Sequence, residues 1–135
     1  MPAEAPAPAV ETPYARLGGE TGVRALVDRF YALMDTLPEA RGVRALHPPR
    51  LDRSAELLFK YLSGWLGGPP LYVREHGHPR LRARHLPFTI GPAERDQWLR
   101  CMRQALAEQV ADPALRAAIE RALADLAGHM VNHPG

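Results

Sequence analysis

His78-Pro79-Arg80-Leu81-Arg82-Ala83-Arg84-His85-Leu86-Pro87-Phe88, with Trp98 on the stretch that follows, is the segment whose reading decides the fold. Pro79 and Pro87 leave room between them for only a short helical stub, because proline removes a backbone donor and restricts the residue before it. His85 sits on that stub with arginines around it and an apolar wall beyond. A neutral imidazole nitrogen is an iron ligand near neutral pH. Guanidinium groups suit carboxylates, and apolar side chains suit a flat, greasy macrocycle. The combination is what a helical haem pocket needs.

At 135 residues the chain reads as one domain, long enough to bury a real core. Hydrophobic residues make up 46% and charged residues 24%, the usual balance of a soluble globular protein. No apolar run approaches the ~20 residues a membrane helix requires, and no basic-then-apolar leader opens the sequence, so the expected location is the cytoplasm. A formal net charge of +2 is too mild for a nucleic-acid protein. Cys101, the only cysteine, excludes an intramolecular disulfide and reads as buried filler on a helix.

Periodicity then finds helices and nothing else. Met1 to Glu11 alternates Ala and Pro without apolar rhythm and reads as a flexible tail, leaving residues 12–135 for the domain. Thr12-Pro13 is a cap followed by a first-turn proline, and Gly18-Gly19 closes that short helix. From Glu20, the residues Val23, Leu26, Val27, Phe30, Tyr31 and Met34 recur at helical spacing until Leu37-Pro38. Residues 38–49, which carry His47 before two prolines, read as an irregular connection. Leu51, Ser54, Leu57, Leu58, Tyr61, Leu62 and Trp65 form the next stripe, stopped by Gly67-Gly68-Pro69-Pro70.

Only short helical pieces fit between Leu71 and Pro87. Gly91-Pro92 opens a long helix bearing Trp98, Leu99, Met102, Ala105, Leu106 and Val110. Asp112-Pro113 caps the last, whose stripe is Leu115, Ile119, Ala122, Leu123, Leu126 and Met130. The class is all-α, with helices crossing in a compact stack.

In that order, Arg29-Phe30-Tyr31, Trp65-Leu66-Gly67-Gly68-Pro69, Gly77 to His85 and Asp96 to Met102 resemble the group II truncated haemoglobins over about Tyr14 to Asn132. The resemblance implies a truncated globin-like two-over-two helical sandwich holding haem b. It makes His85 the proximal iron ligand. Tyr31, Trp98 and His47 then surround the position where gas binds, His47 at the start of the loop before the distal helix. Ser54 takes the place of the familiar distal histidine of larger globins, with Leu58 one turn on. The expected cofactor contacts are Arg84, beside the ligand for the propionates, with Leu58, Leu81, Phe88, Trp98 and Met102.

Read without the resemblance, these residues have plainer roles. A lone histidine is more often a surface residue, and Tyr31 and Trp98 at helical spacing are more often core. Arg80, Arg82 and Arg84 also read as a solvated basic face. His76, His78 and His85 supply enough nitrogen for a zinc site, although Pro79 fixes the backbone between them and His78 reads better as a cap for the short helix. His129 and His133 read as exposed.

With the resemblance, the expectation is dioxygen bound at ferrous iron opposite His85, held by donors from Tyr31, Trp98 and His47. Such a ligand leaves slowly, which favours redox chemistry over carriage: oxidation of nitric oxide or turnover of peroxide, with electrons from a separate reductase. The alternatives are a haem-based gas or redox sensor without turnover, and a haem-free helical interaction protein. Neither nucleic acid nor membrane is an expected partner.

Overall fold

Local capping chemistry sets several helix boundaries in the computed structural model, which describes residues 11–134. The tail expected over Met1–Glu11 lies, apart from Glu11, outside the described residues. Thr12 Oγ1 accepts the Ala15 N–H at 3.1 Å and starts α1 (Pro13–Arg16). Gly18 and Gly19, both left-handed at φ 101° and 65°, turn the chain into α2 (Gly19–Thr36). Asp112 accepts from the N–H groups of Ala114 and Leu115 and caps α8 (Pro113–Met130). Those bonds, the Leu115 one foremost, hold its carboxyl below the usual range. Ahead of it, α7 (Pro92–Gln109) opens with the Glu94 carboxylate accepting the Gly91 N–H at 2.9 Å.

The connection expected to be irregular is partly helical. A 3-10 turn over Pro38–Ala40 leads into α3 (Arg41–Ala45), and only the residues from Leu46 onward lack helix until α4 (Asp52–Trp65). Two short helices follow as the prolines dictate, α5 (Leu71–His76) and α6 (Leu81–His85). Gly77 separates them at φ 76°, ψ −155°, a conformation open only to glycine.

α2 packs on both α4 and α7, and α7 packs on α8, giving a helical sandwich with one pair laid over the other. Val23, Leu26, Val27, Phe30 and Met34 of α2 are fully buried, each worth about 1.5–3 kcal/mol of transfer free energy. Leu99, Cys101, Met102, Ala105 and Leu106 of α7 meet them, which makes Cys101 a packed residue in the middle of a helix.

The α4 stripe divides. Phe59, Leu62 and Leu66 go to the core, while Leu57, Leu58 and Tyr61 stay half-exposed on another side of the helix. Ser63, fully buried, donates its hydroxyl to the Pro69 carbonyl at 2.7 Å and folds the glycine-proline loop back over the helix end. No helix among the described residues is long and apolar enough to cross a membrane.

Candidate functional site

The half-exposed side of α4 faces a cavity of about 430 Å³. Leu57, Leu58 and Tyr61 of α4, Tyr72 of α5, Leu81 and His85 of α6, and Leu123, Leu126 and Met130 of α8 line it, with Tyr31, His47 and Trp98 also in its wall. Its lining is mostly apolar, and its size is that of a small-molecule or cofactor site. Of the residues singled out in the sequence, Tyr31, His47, Leu58, Leu81, Arg84, His85, Phe88 and Trp98 are brought together here, and Ser54 joins them. Met102 is not among them. It lies one turn beyond Trp98 on α7 and is buried at 1% exposure in the core, away from the lining of this cavity.

His85 and Leu81 are four residues apart and so share one side of α6. The His85 Nδ1 lies 2.6 Å from the Leu81 carbonyl. A carbonyl only accepts, so Nδ1 carries the proton and Nε2 keeps its lone pair. A metal-binding imidazole needs that tautomer, with the outer N–H bonded to the backbone. The other two imidazoles of the sequence-level zinc alternative go elsewhere. His78 Nδ1 accepts the Arg80 N–H at 3.1 Å, just ahead of α6, and the His76 ring lies tilted against Tyr72, 4.8 Å between centroids. Among the described residues no group of three His, Cys, Asp or Glu is placed to hold a metal ion.

Tyr31, Phe30 and Trp98 form an aromatic cluster, with Phe30 4.8 Å from Tyr31 and 5.0 Å from Trp98 between centroids. Burial pushes the Tyr31 phenol well above its ordinary value, so it stays an O–H donor at any physiological pH. The hydrogen bonds of the site leave the Tyr31 hydroxyl and the Trp98 indole N–H without protein partners among the described residues.

His47 sits edge-on to Tyr31 at 5.9 Å. Its Nδ1 donates to the Val43 carbonyl at 2.9 Å, and burial first, then Arg44 and His85, lower its pKa. At neutral pH it is therefore uncharged, with Nε2 accepting. As held, His47 presents an accepting nitrogen where the sequence suggested a donor. Arg44 fixes the loop beyond it by donating to Asp35 of α2 at 2.9 Å and to the Pro48 and Pro49 carbonyls.

A family model for bacterial-like globins matches residues 12–132. The group 2 truncated haemoglobin of Bacillus subtilis is 40% identical over 120 residues, 89% of this chain and 88% of that protein. This chain belongs to the group II truncated haemoglobins. Among solved structures, the group II two-on-two haemoglobin of Agrobacterium tumefaciens superposes with a TM-score of 0.89 at 50% identity, covering 98% of this chain and 99% of that one. The cold-adapted truncated haemoglobin of Pseudoalteromonas haloplanktis superposes with a TM-score of 0.90 at 48% identity, covering 91% and 99%.

In this truncated haemoglobin one residue that sequence reasoning missed holds the segment bearing His85. Asn132, just past α8, accepts the Ile90 N–H at 3.0 Å and donates to the carbonyls of His85 and Phe88 at 3.2 and 2.9 Å. Arg82 adds a second tie to α8, donating to the His129 carbonyl at 2.5 Å. Asn132→Ala removes three bonds at once and is expected to cost about 1–3 kcal/mol of unfolding free energy, given part-exposed partners. Chemical denaturation checks this; a loss under about 0.5 kcal/mol would mean that water replaces the side chain fully.

Proposed function

We propose that this chain holds a b-type haem through His85 Nε2, binds dioxygen on the side opposite His85, and uses it in redox chemistry rather than carrying it. The residues suit the group: an accepting nitrogen with its tautomer fixed, an apolar cavity, and the exposed guanidinium of Arg84 in its wall. Haem held by these residues would supply reversible gas binding and one-electron chemistry.

The chain's own contribution is the polarity of the wall. The observation that carries the reading is the pair of unpartnered donors, Tyr31 O–H and Trp98 N–H, in a mostly apolar cavity. Donors aimed at a ligand that gathers negative charge are worth more in a water-poor site than in solution, and they need no rearrangement when the charge develops. They also retain the ligand, which suits consumption and not delivery.

Oxidation of nitric oxide joins one nitric oxide, one dioxygen and one electron into one nitrate, so each turnover draws an electron. A separate reductase, met in the cytoplasm, is the proposed source. A second reading, turnover of peroxide, is favoured by His47 Nε2, an accepting nitrogen in the cavity wall able to take a proton from a peroxide molecule.

The test is rapid mixing of the reduced, oxygen-equilibrated protein with nitric oxide. Fast oxidation of the iron with stoichiometric nitrate is expected, and sustained turnover only with an added flavin reductase. Slow or absent oxidation would remove the nitric oxide reading and move the weight to peroxide chemistry or gas sensing. Sustained turnover without any added reductant would show the electron source to be misjudged.

A further inference from the structure

Gln97, beside Trp98 on α7, takes no part in the reading above, yet it reaches α3. Its Oε1 accepts the Val43 N–H at 2.8 Å. The Val43 carbonyl in turn accepts the Nδ1–H of His47 at 2.9 Å and the Leu46 N–H at 3.1 Å, which uses both of its lone pairs. One buried residue thus carries a bond to α7 at its amide and the bond that sets the His47 tautomer at its carbonyl.

α3 has only five residues and no side-chain cap of its own, so its first N–H groups lack partners within the helix. Gln97 supplies one from a distant helix. The approach is close: a Cβ on Gly42 would lie 2.8 Å from Gln97 Oε1 and 3.1 Å from its Nε2, and would push that amide aside.

We infer that Gln97 is a positioning residue for His47: by pinning Val43 it holds the Val43 carbonyl against Nδ1 and keeps Nε2 the accepting nitrogen of the cavity wall. The consequence for gas binding rests on the haem reading, whereas the geometry does not. Without the pin, α3 keeps the contacts of Arg44 and the packing of Val43 but loses the bond that fixes the Val43 amide, and the imidazole is freer to present an N–H at Nε2 instead. The number of donors around the ligand would then change through a residue that never touches it.

The test compares the carbon monoxide form of the wild type with Gln97→Met and Gln97→Glu. Methionine keeps length and helix propensity but removes the oxygen acceptor, and glutamate restores one. In Gln97→Met the Val43 amide should exchange with solvent about tenfold faster or more, as expected for loss of one buried bond. Long-range proton–nitrogen correlation spectra should show His47 passing from pure Nδ1–H to a mixture of tautomers, and the infrared carbon monoxide band should split as an Nε2–H reaches the ligand. Gln97→Glu should return all three readouts toward wild type. Unchanged Val43 exchange and an unchanged His47 tautomer in Gln97→Met would overturn the assignment, as would a Gln97→Glu spectrum no closer to wild type than that of Gln97→Met. If the protein takes up no haem, the functional reading fails, while the exchange and tautomer measurements on the same samples still decide the role of Gln97.

Discussion

His85→Ala should purify as a folded helical protein that has lost most of its haem. The side chain is only half-buried at the end of a five-residue helix, so its removal leaves the α2–α7 core intact. What disappears is the one imidazole on α6 whose Nε2 is left free by a backbone bond at Nδ1. Loss of an outer hydrogen-bond partner alone typically costs 10–100-fold in metal affinity, so loss of the ligand itself should cost at least about 100-fold. The apolar wall of Leu57, Leu58, Leu123 and Leu126 remains and should keep only weak, spectrally altered haem. Free imidazole added to His85→Ala should restore much of the wild-type visible spectrum by filling the space left behind. A variant with full haem and an unchanged ferrous spectrum would transfer the ligand role to His47, the other imidazole of the cavity wall. His76 and His78 do not line the cavity.

Those features were legible in the sequence where chemistry is local. Thr12-Pro13, Gly91-Pro92 and Asp112-Pro113 mark helix starts because a cap and its first-turn proline act within a few residues, and the helices begin there. The order of motifs around Tyr31, His85 and Trp98 pointed to one site, and all three line the same cavity. Helix α3 escaped notice because no side-chain cap marks its start. Its anchors are Gln97, distant in the chain, and the contacts of Arg44 with Asp35, Pro48 and Pro49.

Periodicity has a similar blind spot. It identifies an apolar stripe without saying what the stripe is apolar against. On α7 the stripe runs from Trp98 through Met102, but the cavity takes only Trp98 while Met102 packs in the core. On α4 one apolar run serves two environments, with Phe59 in the core and Leu58 in the cavity. Likewise the sequence offered His47 as a third donor because residue type alone does not fix a tautomer. The Val43 carbonyl fixes it, and that contact depends on how α3 is held.

Trp98→Phe and Tyr31→Phe should each speed oxygen release by about tenfold, since losing one charge-assisted hydrogen bond costs on the order of 1.4 kcal/mol or more. Both substitutions keep a ring in the cluster around Phe30 and remove only the donor, so a packing loss contributes little. The double variant tests whether the donors act separately. Independent bonds would multiply to about a hundredfold, but the two rings share Phe30 as a neighbour, and coupling between contacting residues should hold the product below that. His47→Phe is the discriminating control: an accepting nitrogen gives the ligand no bond, so the release rate should stay within about twofold of wild type, well short of the effect of one lost donor. Because burial lifts the Tyr31 phenol above its ordinary pKa of 10.0, the wild-type release rate should also stay flat as pH rises toward that value. Ionisation of the phenol would remove the donor and accelerate release, so a rise near pH 10 would show Tyr31 to be hydrated and not aimed at the ligand. Stopped-flow release measurements on the four variants and across pH decide this. Unchanged rates in both single donor variants would show that the ligand is not held by these side chains, and with that the argument against simple oxygen carriage would lose its basis.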